Sequence, residues 1–346
     1  MPREIGARLR RNARRAAGRG AGSLVLVYHR VARSSTDPQL LCVTPERFAE
    51  QLEMIAQEYE PLPLAELVDA AAQGHAPRHG VAVTFDDGYA DNLHTAKPLL
   101  ARTGVPATVF VTSGFLRSGR HFWWDDLESA LLHPGRLPPV LSLNVEGEAV
   151  EAELGRDADY PPSRAAELGR WNVLDRSDPG PRQRLYRFLC CRLRALGERE
   201  RDEVLDQLRT TVTPNDAASG DRARPLTPDE LVRLAGGAVA IGAHTVTHPV
   251  LSALPPARQA DEIITSRRQL EEILARPVDA FAYPYGAPGD FDATTVSLVR
   301  EAGFTHAYAN VAGRVDGRTD RFRIPRGLVR DWSADELEQR MAAIAA

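Results

Sequence analysis

Residues 24–29, 81–85, 105–112, 238–243, 279–283 and 305–309 are short, largely apolar runs, and amphipathic segments separate most of them. Unbroken apolar runs of this length suit strands buried on both faces, and the alternation with helices suits parallel pairing. Thr44-Pro45-Glu46 has the chemistry of a helix start, an N-cap followed by proline at the first helical position, and predicts a helix through Gln57. Further helices are expected from about Asp91 to just before Gly104, from Thr227-Pro228-Asp229-Glu230 onward, over residues 256–274, and over 294–302 with Gly303 as the stop. A last one opens at Ser333, where Ser333-Ala334-Asp335-Glu336 has the spacing of a capping box. Six or seven βα units result, which fits a barrel or a doubly wound sheet.

The alternation breaks between about Arg117 and Pro225, a stretch rich in Arg, Glu and Pro. Two helices are expected there, at 123–132 and over one long span from Pro181 to about Leu208. In the second, Leu185, Phe188, Leu189, Arg192, Leu193 and Leu196 share a face if the Arg192 stem lies along the apolar surface. The expected division is therefore a basic, flexible tail (1–22), the first part of an α/β domain (23–116), a mainly helical insertion (117–226) and the second part of the α/β domain (227–346).

Composition narrows the setting. At 346 residues the chain can bury a substantial core, and its net charge of −4 gives no general attraction to nucleic acid. Cys42, Cys190 and Cys191 are odd in number and two are adjacent, so a disulfide framework is not expected and a reducing compartment fits. No run of about twenty apolar residues occurs. The first 22 residues carry seven arginines and one glutamate without the apolar stretch of a signal peptide. The expected location is the cytoplasm, with the arginine-rich tail able to touch anionic lipid at the membrane surface. Oligomeric state is left open.

Candidate chemistry sits at two strand ends. Thr84-Phe85-Asp86-Asp87-Gly88-Tyr89 ends one apolar run with adjacent carboxylates, whose mutual repulsion in a buried site is relieved by a divalent cation. With Asp87 as a ligand, Asp86 stays ionised and serves as a base, while Gly88 allows a sharp turn. His244-Thr245-Val246-Thr247-His248-Pro249 follows another apolar run. Its threonines, valine and proline favour a loop that curls around an ion over a helical pair. One Asp and two His leave coordination positions open, as a catalytic zinc site requires. Both motifs stand where parallel strands end, the face on which such folds carry their chemistry.

At these residues the chain resembles the polysaccharide deacetylase family, the NodB-like homology domain of carbohydrate esterase family 4 type. Thr84 to Gly88, His244 to His248, and Ala282-Tyr283-Pro284-Tyr285-Gly286 match its three motifs. The resemblance implies a distorted, incomplete (β/α) barrel, one divalent metal ion, usually zinc, and removal of acetyl groups from an N-acetylated carbohydrate. It implies Asp86 as general base, Asp87, His244 and His248 as metal ligands, and the Tyr285 backbone N–H, after Pro284, as oxyanion donor. Two positions depart from the pattern. Ala282 stands where the family often has an arginine that orients the base, and Arg326 in Ile324-Pro325-Arg326 is the candidate substitute. The family's late histidine, the acid for the leaving amine, has no match, since His306 lies inside an apolar run; His29 at the end of the first strand is the preferred acid. Leu328 and Trp332 are candidates for the wall of the acetyl pocket. His121-Phe122-Trp123-Trp124-Asp125-Asp126 is a candidate sugar-stacking or lid element.

The same scaffold would serve a deformylase, a cyclic-amide hydrolase or an O-acetyl ester hydrolase, because an activated water does not itself discriminate among these carbonyls. A catalytically silent sugar-binding protein and an adaptor acting through the arginine tail are the readings outside hydrolysis.

Overall fold

The computed structural model describes residues 22–214 and 223–344. The expectations attached to the arginine-rich tail fall almost entirely outside these residues. The described chain forms two compact units, residues 42–117 and 226–346 together with the chain up to Arg33 in one, and residues 34–41 and 118–225 in the other.

The first unit is built on seven strands: β1 (Leu24–Tyr28), β2 (Gly80–Phe85), β3 (Ala107–Val111), β4 (Val239–Ala243), β5 (Ala280–Ala282), β6 (His306–Tyr308) and β7 (Gly327–Leu328). Their order across the sheet is β6-β5-β4-β3-β2-β1-β7, with every pairing parallel. The two-residue strand Glu60–Pro61 also pairs with the start of β2. The helices are α1 (Pro45–Glu58), α2 (Leu64–Ala72), α3 (Lys97–Thr103), α4 (Pro228–Leu234), α5 (Pro256–Leu274), α6 (Ala293–Glu301) and α7 (Ala334–Ile344). This is the incomplete (β/α) barrel expected from the motifs.

The sheet curls, and period-two alternation separates its faces. Leu24, Leu26, Val81, Val83, Phe85, Val109 and Val111 join one buried cluster with the helices, while Val25, Ala82, Phe110, Ala280, Ala282, Tyr308 and Ile324 join another with α2. One segment touches both sheet edges: Ile324 bridges Tyr308 of β6, and three residues later Gly327 and Leu328 pair with Leu26 and Val27 of β1.

Local signals hold closely. Thr44 caps α1, Thr227 and Glu230 form a reciprocal box on α4, and Ser333 and Glu336 exchange hydrogen bonds before α7. The expected helix from Asp91 instead begins with a π-helical turn, Asn92–Ala96, before α3 ends at Gly104 in the left-handed region (φ +70°).

The second unit corrects two expectations. Its long helix is broken into Pro181–Ala195 and Glu198–Thr211, because Gly197 is extended and the Glu200 carboxylate fills the space a Cβ would need. It also contains an antiparallel hairpin, Val140–Val145 with Glu148–Glu153, turned by Glu146 and Gly147, both at positive φ. Arg192 bridges to Glu146 and Glu148. Phe122, Trp123 and Trp124 are buried, with Phe122 and Trp124 stacked at 4.8 Å, so these rings anchor packing and offer no exposed stacking platform. Among the described residues, no helix is long and apolar enough to cross a membrane.

Candidate active site

The site assembles where β1, β2, β4 and β5 end. Alternation along β2 puts Ala82, Thr84 and Asp86 on one parity, away from the helix-facing Val81, Val83 and Phe85. A continued strand would send Asp87 to the other side. Instead Asp87 lies at φ +72°, and the Gly88 N–H donates back to the Asp86 carbonyl at 2.9 Å, a three-residue turn that brings the second carboxylate to the same mouth. Gly88 follows at φ +84°, and a Cβ there would meet Val111 at 3.0 Å.

His244 leaves β4 with its N–H on the Val111 carbonyl, and His248 closes the loop at φ +57°. The ligand atoms of Asp87, His244 and His248 all lie within 4.8 Å of one another, and all three residues are buried. His248 Nε2 is 3.3 Å and His244 Nε2 3.7 Å from Asp87 Oδ1. His244 Nδ1 is 2.8 Å from the Ala282 carbonyl; donation there leaves Nε2 with its lone pair toward the group. Burial pushes His244 down to about 4, against the pull of Asp86, so its imidazole is neutral near pH 7, the form a metal ligand needs.

Asp87 Oδ1 is a buried carboxylate oxygen with no hydrogen-bond donor. Burial raises the Asp87 pKa, and the nearby imidazoles of His29 and His244 only partly oppose this. An orphaned anionic oxygen facing two imidazole nitrogens fits a divalent cation, which would satisfy all three donors at once.

Asp86 is treated differently. Arg326 Nη1 and Nη2 donate to its two carboxylate oxygens, each at 2.7 Å, and both side chains are essentially unexposed. Burial is the largest single influence and works to raise the Asp86 pKa, but the charges of Arg326 and His244 and the hydrogen bonds from Arg326 together outweigh it and hold it at about 2. Arg326 also reaches Thr84 Oγ1, the Ala309 carbonyl and Asn310 Oδ1, and stands over the Phe110 ring. It is buried, not a surface arginine beside a turn, and it faces the carboxylate that the Ala282 position leaves without a partner.

Tyr285, at φ +60°, is the centre of a second three-residue turn, in which the Gly286 N–H donates to the Pro284 carbonyl. Its ring meets His248 edge-on at 4.7 Å. Asn310, which sequence reasoning missed, joins these parts: its Nδ2 donates to the Tyr285 carbonyl while its Oδ1 accepts from Arg326. A polar residue two positions beyond β6 is too common a signal to single it out. His29 follows β1 directly. Its carbonyl accepts from Asn92, its Nδ1 is buried without a partner, and burial lowers its pKa against the opposing charges of Asp87 and Asp86.

Trp332 is not brought into this group. Its carbonyl accepts from Gln51 of α1, and Arg340 of α7 stands 4.0 Å over its ring. Leu328 is 39% exposed on β7, and His306 is buried within β6.

A family model described as polysaccharide deacetylase matches residues 73–133 and 205–307, two blocks that hold Asp86, Asp87, His244, His248 and Tyr285. Over these two blocks the chain matches the polysaccharide deacetylase family. The fold is shared with solved structures across nearly the whole chain. The Streptococcus pyogenes deacetylase PplD, in complex with acetate, is 18% identical at a TM-score of 0.58, covering 93% of this chain and 99% of that one. IcaB from Ammonifex degensii is 21% identical at 0.56, covering 95% and 99%. A de-N-acetylase from Aggregatibacter actinomycetemcomitans is 14% identical at 0.55, covering 92% and 99%. No curated protein matches this sequence.

Proposed function

We propose that the protein is a metal-dependent hydrolase that removes an N-acetyl group from an amino sugar in a polysaccharide, a lipid-linked oligosaccharide or a glycoside. The observation that carries this reading is the pairing of two unlike carboxylates: Asp87, orphaned beside His244 and His248, and Asp86, held ionised by Arg326. Asp87, His244 and His248 are the residues that would hold the cation, and zinc suits their donor set. When bound, such a cation supplies Lewis acidity to the attacking water and to the acyl oxygen.

The protein's own groups account for the proton transfers. Asp86 receives the proton of the attacking water; with a pKa near 2 it is a weak base, but it stays ionised and oriented. The Tyr285 N–H, in its fixed turn, donates to the developing oxyanion, a contribution typically worth about 2.7–4 kcal/mol. His29 passes a proton to the leaving amine; burial lowers its pKa, so the resting imidazole is largely neutral and the proton it passes on is the one released by the attacking water and received by Asp86.

Incubation of zinc-loaded protein with a panel of N-acetylated glycans and small glycosides tests the reading. Release of acetate with an equal amount of free amine supports it. Stoichiometric zinc without turnover on any acylated amino sugar would instead leave a sugar-binding protein. Formyl, cyclic-amide and O-acetyl substrates in the same panel separate the other acyl chemistries. Location in the cytoplasm, with the basic tail against anionic membrane, is proposed for a lipid-linked substrate.

A further inference from the structure

The loop from His244 to His248 carries two residues in the left-handed region, Thr245 at φ +65° and His248 at φ +57°. A β-branched threonine at positive φ is strained, and such a conformation persists only where its surroundings over-determine it. Three restraints come from nearby loop and backbone groups: the Ser113 N–H donates to the Thr245 carbonyl, the Gly114 N–H to the Val246 carbonyl, and the His248 N–H to Thr245 Oγ1. The fourth comes from α5. Glu262 Oε2 accepts from the Val246 N–H at 2.8 Å and from the Thr247 N–H at 2.9 Å, and its Oε1 accepts from Thr247 Oγ1 at 2.8 Å. Two successive N–H groups converging on one oxygen form an anion-binding nest, and here the anion belongs to the protein and is only 6% exposed.

We infer that Glu262 is a positioning residue for the metal centre: its carboxylate holds the strained His244–His248 loop in the one conformation that aims both imidazoles at Asp87. Its carboxylate is held by the Val246 N–H, the Thr247 N–H and the Thr247 hydroxyl, groups that are not themselves ligands. Its effect passes through the backbone of Val246 and Thr247, which lie between the two histidines. This rests on the reading that Asp87, His244 and His248 hold a cation. It adds that their preorganisation, and hence the metal affinity, depends on a carboxylate that would remain inside the protein when the metal is gone.

The test uses full-length protein and zinc alone. Glu262→Ala removes three acceptor contacts and is expected to weaken zinc binding, measured by competition with a chromophoric chelator, by tenfold or more, in the range known for groups that orient metal ligands. Glu262→Gln can keep its carbonyl on both N–H groups and is expected to bind within a few-fold of wild type. Metal-free protein gives a second measure, in which amide exchange in the peptide spanning 244–249 quickens in Glu262→Ala while peptides from β2 and β3 keep wild-type protection. If Glu262→Ala fails to fold, Glu262→Asp, which draws the carboxylate back from Val246 and Thr247 by one methylene, takes its place in both tests. Unchanged zinc affinity, or unchanged exchange of that peptide, in the truncated variant that folds would overturn the inference and leave the metal reading intact. Wild-type protein that takes up no zinc would remove both.

Discussion

The guanidinium of Arg326 and the carboxylate of Asp86 meet as a two-point fork, each nitrogen–oxygen distance 2.7 Å, in a place closed to solvent. A buried pair of this kind is costly to break from one side, because the remaining charge is left without its counterpart. Arg326→Ala is expected to lose about 3–5 kcal/mol of stability as well as turnover. Arg326→Lys, which keeps the charge but not the planar fork, should recover part of the stability and little of the kcat. Chemical denaturation and steady-state kinetics on a competent N-acetylated substrate check both.

Asp86→Asn separates base from ligand. Zinc content should stay at the wild-type level while kcat falls by about 10²–10⁴-fold. Full activity in that variant would rule out Asp86 as the base.

Asp87 carries a cost in the absence of metal. Its buried oxygen has no donor, so Asp87→Asn should leave metal-free protein at least as stable as the metal-free wild type, while abolishing zinc uptake. Zinc at 100 times its Kd should stabilise wild type by about 2.7 kcal/mol and Asp87→Asn not at all. Thermal melts of both proteins with and without zinc show the contrast directly.

His306 supplies a pH dependence outside the site. Burial, aided by the charge of Arg321, lowers its pKa to about 4. The unfolded chain, with an ordinary histidine pKa of about 6.5, therefore binds the proton more readily than the folded one. The stability tied to neutral His306 is full above pH 6.5 and is lost as the pH falls toward 4, up to about 3 kcal/mol. His306→Asn should flatten the stability profile between pH 6.5 and 4 relative to wild type, with urea denaturation of metal-free protein as the measurement.

Arg182 tests the second unit. Fully buried, it donates to the carbonyls of Leu131, Gly135, Asp157 and Ala158 and stands over the Tyr160 ring. Arg182→Leu strands these acceptors, each worth about 1–3 kcal/mol when unsatisfied, and should speed limited proteolysis within 118–214 while zinc uptake persists.

How much was legible follows from how local each signal is. Parallel strands announce themselves as apolar runs, and helix starts as caps, so the α/β repeat and helix ends such as Pro256–Leu274 could be read directly. Asp86 with Asp87, and His244 with His248, are pairs close in sequence at strand ends, and the structure brings them together. Arg326 could be named only as a candidate, because its contact with Asp86 depends on the register of a two-residue strand that no pattern predicts. Trp332 and the Phe122-Trp123-Trp124 cluster show the reverse difficulty. An aromatic ring has the same sequence signature whether it faces a ligand or a core, and these rings pack inside their own units. The hairpin in the insertion was obscured because only one of its strands, Val140–Val145, alternates between exposed and buried positions; Glu148, Glu151 and Glu153 on the other are all exposed and leave no apolar pattern.

The stretch from Ile324 to Leu328 lies along both margins of the curled sheet and carries Arg326 at its middle. Reactivity is thereby tied to completion of folding. A chain whose final strand has not yet docked would already own the Asp–His–His trio but would lack the cationic clamp on its proton acceptor, so an immature or clipped molecule would be expected to sequester metal without hydrolysing anything.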